Sequence, residues 1–193
     1  MARRLLVDTD GGTDDALALA LLVALGRAPA FVTTSFGNVA LDQATDNILA
    51  TLAILGCDAP VHAGAARPLI GAAIDAADVH GEDGLGGAPR PAKQADVASR
   101  NGVDFLRTVL REAAESEEPI DILALGPLTN LALAFAAEPA IAAGVGELVI
   151  MGGTVFGRGN VTGAAEFNIL ADPEAAAMVL ALPLPTVMVP WEP

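Results

Sequence analysis

The stretch Leu5-Leu6-Val7-Asp8-Thr9-Asp10-Gly11-Gly12-Thr13-Asp14-Asp15, continued by Ala16–Leu25 (ALALALLVAL), decides how the fold is read. A short apolar run ends at carboxylates, paired glycines turn the chain, and a segment apolar nearly all round follows. That order reads as strand, loop and buried helix. The alternation recurs downstream. Phe31–Phe36 is β-branched and aromatic, a strand, and Leu41–Leu55 carries apolar residues at helical spacing before Gly56, a helix stop. Val61–Ala63 is a short strand. Val103–Ala114 is an amphipathic helix, Ile120–Leu125 a strand, Leu128–Phe135 a helix and Glu147–Met151 a strand. Asp172–Leu182 opens with Asp as cap and Pro at the first helical position, and Pro185–Val189 is a last strand. Between them, residues 64–98 lose all periodicity and read as one long irregular loop, a kind usually functional or disordered.

Five or so strand–helix repeats predict an α/β fold, a mostly parallel doubly wound sheet with helices on both faces and right-handed crossovers. The whole of 1–193 reads as one such domain. In these sheets ligands bind beyond the carboxyl ends of the strands, so the residues following each strand carry the search for function.

Composition narrows the classes. The chain has 193 residues, 53% hydrophobic and 18% charged, which excludes disorder. Ten Lys+Arg against 24 Asp+Glu leave a net charge of −14, which argues against nucleic acid as partner and for a cation. One cysteine, Cys57, forms no intrachain disulfide and reads as a buried structural thiol. Arg3-Arg4 is followed by only three apolar residues before Asp8, too few for a secretion signal, and no apolar run reaches membrane-spanning length. The expectation is a soluble, cytoplasmic protein with no membrane partner.

Four carboxylates within eight residues, Asp8, Asp10, Asp14 and Asp15, repel one another unless something positive sits among them. Capping of the next helix accounts for Asp14 and Asp15 but not for all four. An all-oxygen set points to Ca²⁺ or Mg²⁺ rather than zinc. Gly12 stands where a haloacid-dehalogenase phosphatase has Thr or Val, and the loop lacks the oxygen ligands of an EF-hand, so neither applies. Beyond later strands come Gly37-Asn38, Gly126-Pro127-Leu128-Thr129-Asn130, Gly152-Gly153, Asn160 and Glu166-Phe167-Asn168. Each Asn alone reads as a turn residue. Recurrence of amides and a carboxylate at the carboxyl ends of four strands, with no cationic cluster, suits a polyol such as ribose.

Together with His80-Gly81…Gly84-Leu85-Gly86 and Asp172-Pro173-Glu174, these motifs resemble, in order and approximate spacing, the inosine–uridine nucleoside hydrolase family across essentially the whole chain. The resemblance implies calcium-dependent hydrolysis of the N-glycosidic bond of ribonucleosides, an activity of purine and pyrimidine salvage. It implies Ca²⁺ held by Asp10, a bidentate Asp15 and a backbone carbonyl near Leu125. Asp10 also takes a proton from the attacking water and, with Asn168, forms the catalytic set. Asp14, Asn38, Asn160, Glu166 and Asn168 hold the ribose hydroxyls, and His80 lies toward the base. Asp8 orients the loop and His62 is structural. A homo-oligomer, dimer or tetramer, is implied too. The chemistry is coherent, because an acidic pocket stabilises the oxocarbenium-like state through which a ribosyl C–N bond breaks.

The family chain normally runs on past Pro193 and there supplies a further calcium-ligating Asp, a His and covering helices. No Asp follows Asp172 here, so about four protein oxygens are expected at a calcium ion that prefers six to eight. Thr186–Val189 reads as a central strand whose apolar surface is left open. A fragment, a short homologue completed by a partner, and a scaffold without turnover remain alternatives. A non-catalytic calcium- or ribose-binding domain is the competing function, and hydrolysis of another ribosyl compound a third.

Overall fold

The computed structural model describes residues 2–192. Six strands form one sheet in the order β3-β2-β1-β4-β5-β6, every neighbouring pair parallel. They are β1 (Leu5–Thr9), β2 (Phe31–Thr34), β3 (Val61–Ala63), β4 (Ile120–Ala124), β5 (Val145–Met151) and β6 (Thr186–Val189). The helices are α1 (Thr13–Ala24), α2 (Leu41–Leu55), α3 (Ala77–His80), α4 (Gly102–Glu115), α5 (Thr129–Ala137), α6 (Phe167–Ala171) and α7 (Pro173–Leu180). Helices α1 and α2 lie on one face, packing Leu19, Ile48 and Leu52 against Val7, Val32 and Val61. On the other face α4, α5 and α7 bury Leu106, Leu110, Leu131 and Val179 against Leu6, Ile122, Leu148 and Ile150. The two helical layers follow from strand alternation, since successive side chains of each strand point to opposite faces.

The expected α/β class and the parallel, doubly wound topology are those observed, and the bounds of Leu41–Leu55 and Val61–Ala63 coincide with α2 and β3. Gly56 ends α2 in the left-handed conformation, φ 62°. Asp172 caps α7, its Oδ1 accepting from Ala175 N at 3.0 Å. Residues 64–98 hold only the one-turn α3, yet they are tied down: Leu69 N donates to the buried Asp172 Oδ2 at 2.9 Å, and Ala98 N donates to Val61 O.

Three expectations are corrected. Helix α1 is not buried all round: Leu19 is enclosed, while Leu17, Leu21 and Leu25 are 71%, 59% and 67% exposed. They recur every fourth residue, on the helix side turned from the sheet. Among the described residues strand β6 is an edge of the sheet rather than a central strand, while the open apolar surface expected of it is present, Val187, Met188 and Val189 all being exposed. Cys57 is half-buried, not buried. Helix α6 and the 3₁₀ turn Pro139–Gly144 interrupt stretches with no helical period. Among the described residues, no helix is long and apolar enough to cross a membrane.

Candidate active site

Parallel strands bring all their carboxyl ends to one edge. The strand order reverses between β1 and β4, so the loop after β1 and the loop after β4 diverge there and leave a crevice, the usual ligand position of this architecture. The acidic stretch lies in that crevice.

Asp10 is fully buried. Its Oδ2 accepts from Asn38 N at 2.8 Å, and its Oδ1 from Asn38 Nδ2 at 3.0 Å. Asp15, nearly as buried, accepts from the hydroxyl of Thr9 and, at 3.0 Å, from Gly12 N. The second of these is helix capping of α1, so the capping role and a ligand role coincide in one side chain. Asn38 Nδ2 also lies 3.4 Å from Asp15 Oδ2, joining the two carboxylates through one amide. The surroundings are shaped to fit Asp10 closely. A Cβ at Gly37 would stand 2.0 Å from Asp10 Oδ2, and one at Gly126 3.0 Å from Asp10 Cβ. Glycine at these positions is therefore a matter of space.

Asp8 points to the neighbouring strands. Its Oδ1 accepts from Thr33 Oγ1 and, at 2.8 Å, from Asn130 Nδ2, while its Oδ2 is buried with no partner. Asn130 also donates to Thr34 O, and its Oδ1 takes Ala65 N at 2.8 Å. Asp8 thus fastens the start of the loop, as expected of an orienting residue.

Burial dominates the electrostatics. It pushes Asp8 from the ordinary 3.8 to about 6. Burial, and then the neighbouring charge of Asp15, holds Asp10 well above the usual carboxylate range. Burial and the charge of Asp14 raise Asp15 too. No Lys or Arg forms an ion pair with Asp8, Asp10 or Asp15 among the described residues. Three buried carboxylates without a cation form a costly arrangement that a bound positive charge relieves.

The residues after β5 approach from the other side. Asn168 Nδ2 donates to Leu125 O at 2.8 Å and to Met151 O at 3.2 Å, and so joins the ends of β4 and β5. Leu125 is thereby brought beside Gly126 and Asp10. Glu166 is buried, but its oxygens accept from Gly153 N, Asn168 N and Ile169 N and cap α6. Asn160 is exposed, and its Oδ1 accepts Phe167 N at 2.9 Å. Asp14 stands at the open side of the first turn of α1, its side chain 68% exposed. His80 Nδ1 lies 2.8 Å from Thr13 Oγ1 and 3.8 Å from Asp14 Oδ1. The fold therefore gathers Asp10, Asp15, Asn38, Leu125 and Asn168 around one point, with Asp14 and His80 at its rim. Asn160 and Glu166 are engaged by backbone. His62 lies elsewhere, stacked on Phe105 at 3.6 Å, consistent with a structural role.

Sequence reading passed over Thr9, which bonds Asp15, and Asn47 of α2. A carboxamide among the buried positions of α2, beside Ala44 and Ile48, is the signal that marks Asn47.

For a cation the donors are carboxylate, amide and carbonyl oxygens, a hard set suited to Ca²⁺. Among the described residues, no three His, Cys, Asp or Glu side chains converge as a metal-binding group. The protein anions offered are thus the pair Asp10 and Asp15, with the carbonyl of Leu125, which precedes Gly126 against Asp10, as a neutral oxygen.

A parallel α/β sheet with an acidic, oxygen-lined crevice at its switch point defines the class. The chain belongs to the inosine-uridine preferring nucleoside hydrolase family, which it matches over residues 5–193. It is 43% identical over 190 residues to the pyrimidine-specific ribonucleoside hydrolase RihA of Enterobacter sp. (strain 638), covering 97% of this chain and 59% of that protein. An uncharacterized protein of Schizosaccharomyces pombe is 41% identical over 193 residues, 98% of this chain and 61% of that one. Among solved structures, an inosine-guanosine nucleoside hydrolase superposes with a TM-score of 0.87 at 35% identity, over 100% of this chain and 61% of its own. A plant nucleoside hydrolase gives 0.88 at 36%, over 98% and 60%. The chain spans about 60% of the length of the relatives it matches.

Proposed function

We propose that this chain carries the ribose- and cation-binding centre of a ribonucleoside N-ribohydrolase. The observation that carries the reading is the pair Asp10 and Asp15, two buried carboxylates joined by the Asn38 amide with no cationic side chain paired to either among the described residues. Asp10, Asp15 and the carbonyl of Leu125 would hold Ca²⁺, which when bound supplies Lewis-acid polarisation of water and of the ribose diol.

The chain's own groups account for the remaining chemistry. Asp10 takes the proton of the attacking water, and its desolvated setting makes it a stronger base than an exposed aspartate. Asn38 fixes the Asp10 carboxylate with two donors, so its orientation is set before substrate arrives. Asp14, Asn38 and Asn168 offer hydrogen-bond partners to the ribose hydroxyls, with Glu166 and Asn160 bounding the same space. As the glycosidic C–N bond breaks, its electron pair leaves with the base nitrogen, and the acidic crevice stabilises the positive charge left on the sugar. His80 at the rim lies on the side where the base departs. Named activities of the relatives on pyrimidine nucleosides, and on inosine and guanosine, support the substrate class without choosing a base.

The test is hydrolysis of uridine and inosine in calcium-saturated buffer by the parent chain and by Asp10→Asn. Release of free base by the parent and a loss of at least ~10³-fold in the variant are expected, the upper part of what a general base supplies. Equal rates would remove Asp10 from the role. A second reading, a calcium- or ribose-binding protein without turnover, is favoured by the backbone bonds that occupy Glu166 and Asn160. Nucleoside binding without base release by the parent would establish it.

A further inference from the structure

Helix α2 contributes no residue to the crevice, yet two loops of the site rest on it. Gly11, in the middle of the acidic loop, has φ +72°, and a Cβ there would stand 2.8 Å from Ala44 Cα. Gly84, far along the irregular segment, has φ +76°, and a Cβ there would stand 2.8 Å from Asn47 Nδ2. Both loops therefore press on the helix where only glycine fits, one turn apart.

Between them lies Asn47, fully buried. Its Nδ2 donates to Gly11 O at 2.7 Å and to Asp83 O at 2.8 Å. Its Oδ1 accepts from Arg90 Nη2 at 2.6 Å and from Gln43 Nε2 at 2.9 Å. Two donors and two acceptors are all that a carboxamide offers, and every one is used. Arg90 is held in turn by Asp46 at 3.3 Å and Asp83 at 3.9 Å. One amide thus ties the acidic loop to a segment about 70 residues further along the chain. A second tie between the same two pieces lies at the rim, His80 Nδ1 to Thr13 Oγ1.

We propose that Asn47 is a positioning residue: it locks the acidic loop and the Ala77–Arg90 segment together and so holds His80 against the rim of the site. The purpose of that positioning rests on the functional reading above; the clamp itself does not. The carboxylates make no bond to Asn47 and keep donors of their own when it is replaced. Asp10 is held by Asn38, and Asp15 by Thr9 and Gly12. The proposal therefore separates two properties that a general loss of structure would damage together, namely calcium affinity and nucleoside affinity.

The experiment uses the full chain with Asn47→Leu, which matches Asn in size and removes all four bonds, and Arg90→Met. The second variant removes one of the two donors to the Asn47 carbonyl oxygen, leaves Gln43 in place, and remains informative if the first folds poorly. Hydrogen exchange of the metal-free protein is expected to quicken at least tenfold at amides 77–87 in Asn47→Leu, and less in Arg90→Met, with α4 and β4 unchanged. Calorimetry is expected to give calcium affinities within threefold of the parent and at least tenfold weaker binding of uridine or inosine to the calcium-loaded protein. In turnover, KM rises by the larger factor and kcat falls by the smaller. Unchanged exchange at 77–87 in both variants would overturn the clamp. Calcium and nucleoside affinities falling in parallel would overturn the positioning role. If the parent binds neither ligand, the functional reading fails, while exchange alone still decides the clamp.

Discussion

Two stretches at the same edge of the sheet supply carboxylates, and the protein treats them in opposite ways. After β5, Glu166 accepts from three backbone amides, Gly153, Asn168 and Ile169, and caps a helix. After β1, Asp10 and Asp15 share one side-chain amide and sit side by side, and Asp8 keeps a buried oxygen with no partner. Backbone donors make a buried carboxylate self-sufficient, because their partial positive charge replaces the water it lost. Asp10 and Asp15 receive one backbone donor each, from Asn38 N and Gly12 N, against three at Glu166. With so little compensation the charge of Asp15 raises Asp10, that of Asp14 raises Asp15, and the pair calls for a cation. Sharing an edge of the sheet therefore does not give two acids the same role; the donors around them do.

The comparison can be broken by substitution. The largest effect belongs to Asp10→Asn, which removes base release and, in thermal unfolding, the rise in Tm that calcium gives the parent. Glu166→Gln should do something else. It places an amide N–H against backbone donors in a buried setting, costing about 2 kcal/mol. Tm then falls by several degrees with calcium and without it. A calcium-dependent loss in Glu166→Gln would make the two regions alike and refute the distinction.

Acidity sharpens it further. Asp8 binds its proton more tightly folded than unfolded, with the folded value about 6 against the ordinary 3.8. Its contribution to stability is therefore complete below about pH 4 and is lost as pH rises through 6, because the folded state then holds a buried charge. In a chelator, the chain should unfold at higher temperature at pH 5 than at pH 7.5. With calcium the difference should shrink or reverse, since the cation favours the ionised neighbours. The smallest effect is expected on the surface: Arg100→Ala removes an exposed 2.7 Å pair with Asp42 and should change stability by no more than about 0.5 kcal/mol.

Much of this was legible without coordinates. Short apolar and β-branched runs placed all six strands, apolar stretches and helical spacing placed the long helices, and Gly56 and Asp172-Pro173 marked helix ends because capping is a local affair. Asp10, Asp15 and Asn38 were legible as residues following strands of a parallel sheet, where topology alone brings them together. Missed features depend on partners distant in sequence. Whether Leu17, Leu21 and Leu25 are buried depends on what packs against α1, which their own spacing does not specify. That Asn47 holds a loop depends on Gly11, Asp83 and Arg90. Each bond of that kind spans tens of residues, a distance over which no period speaks.

The central claim is that the crowded carboxylates after β1 form a cation site. Calorimetric titration of the chain with CaCl₂, with and without uridine, tests it most directly. The account predicts a single calcium per chain at micromolar or tighter dissociation constant, strengthened by nucleoside and lost in Asp15→Asn. A folded parent protein that takes up no calcium would contradict it.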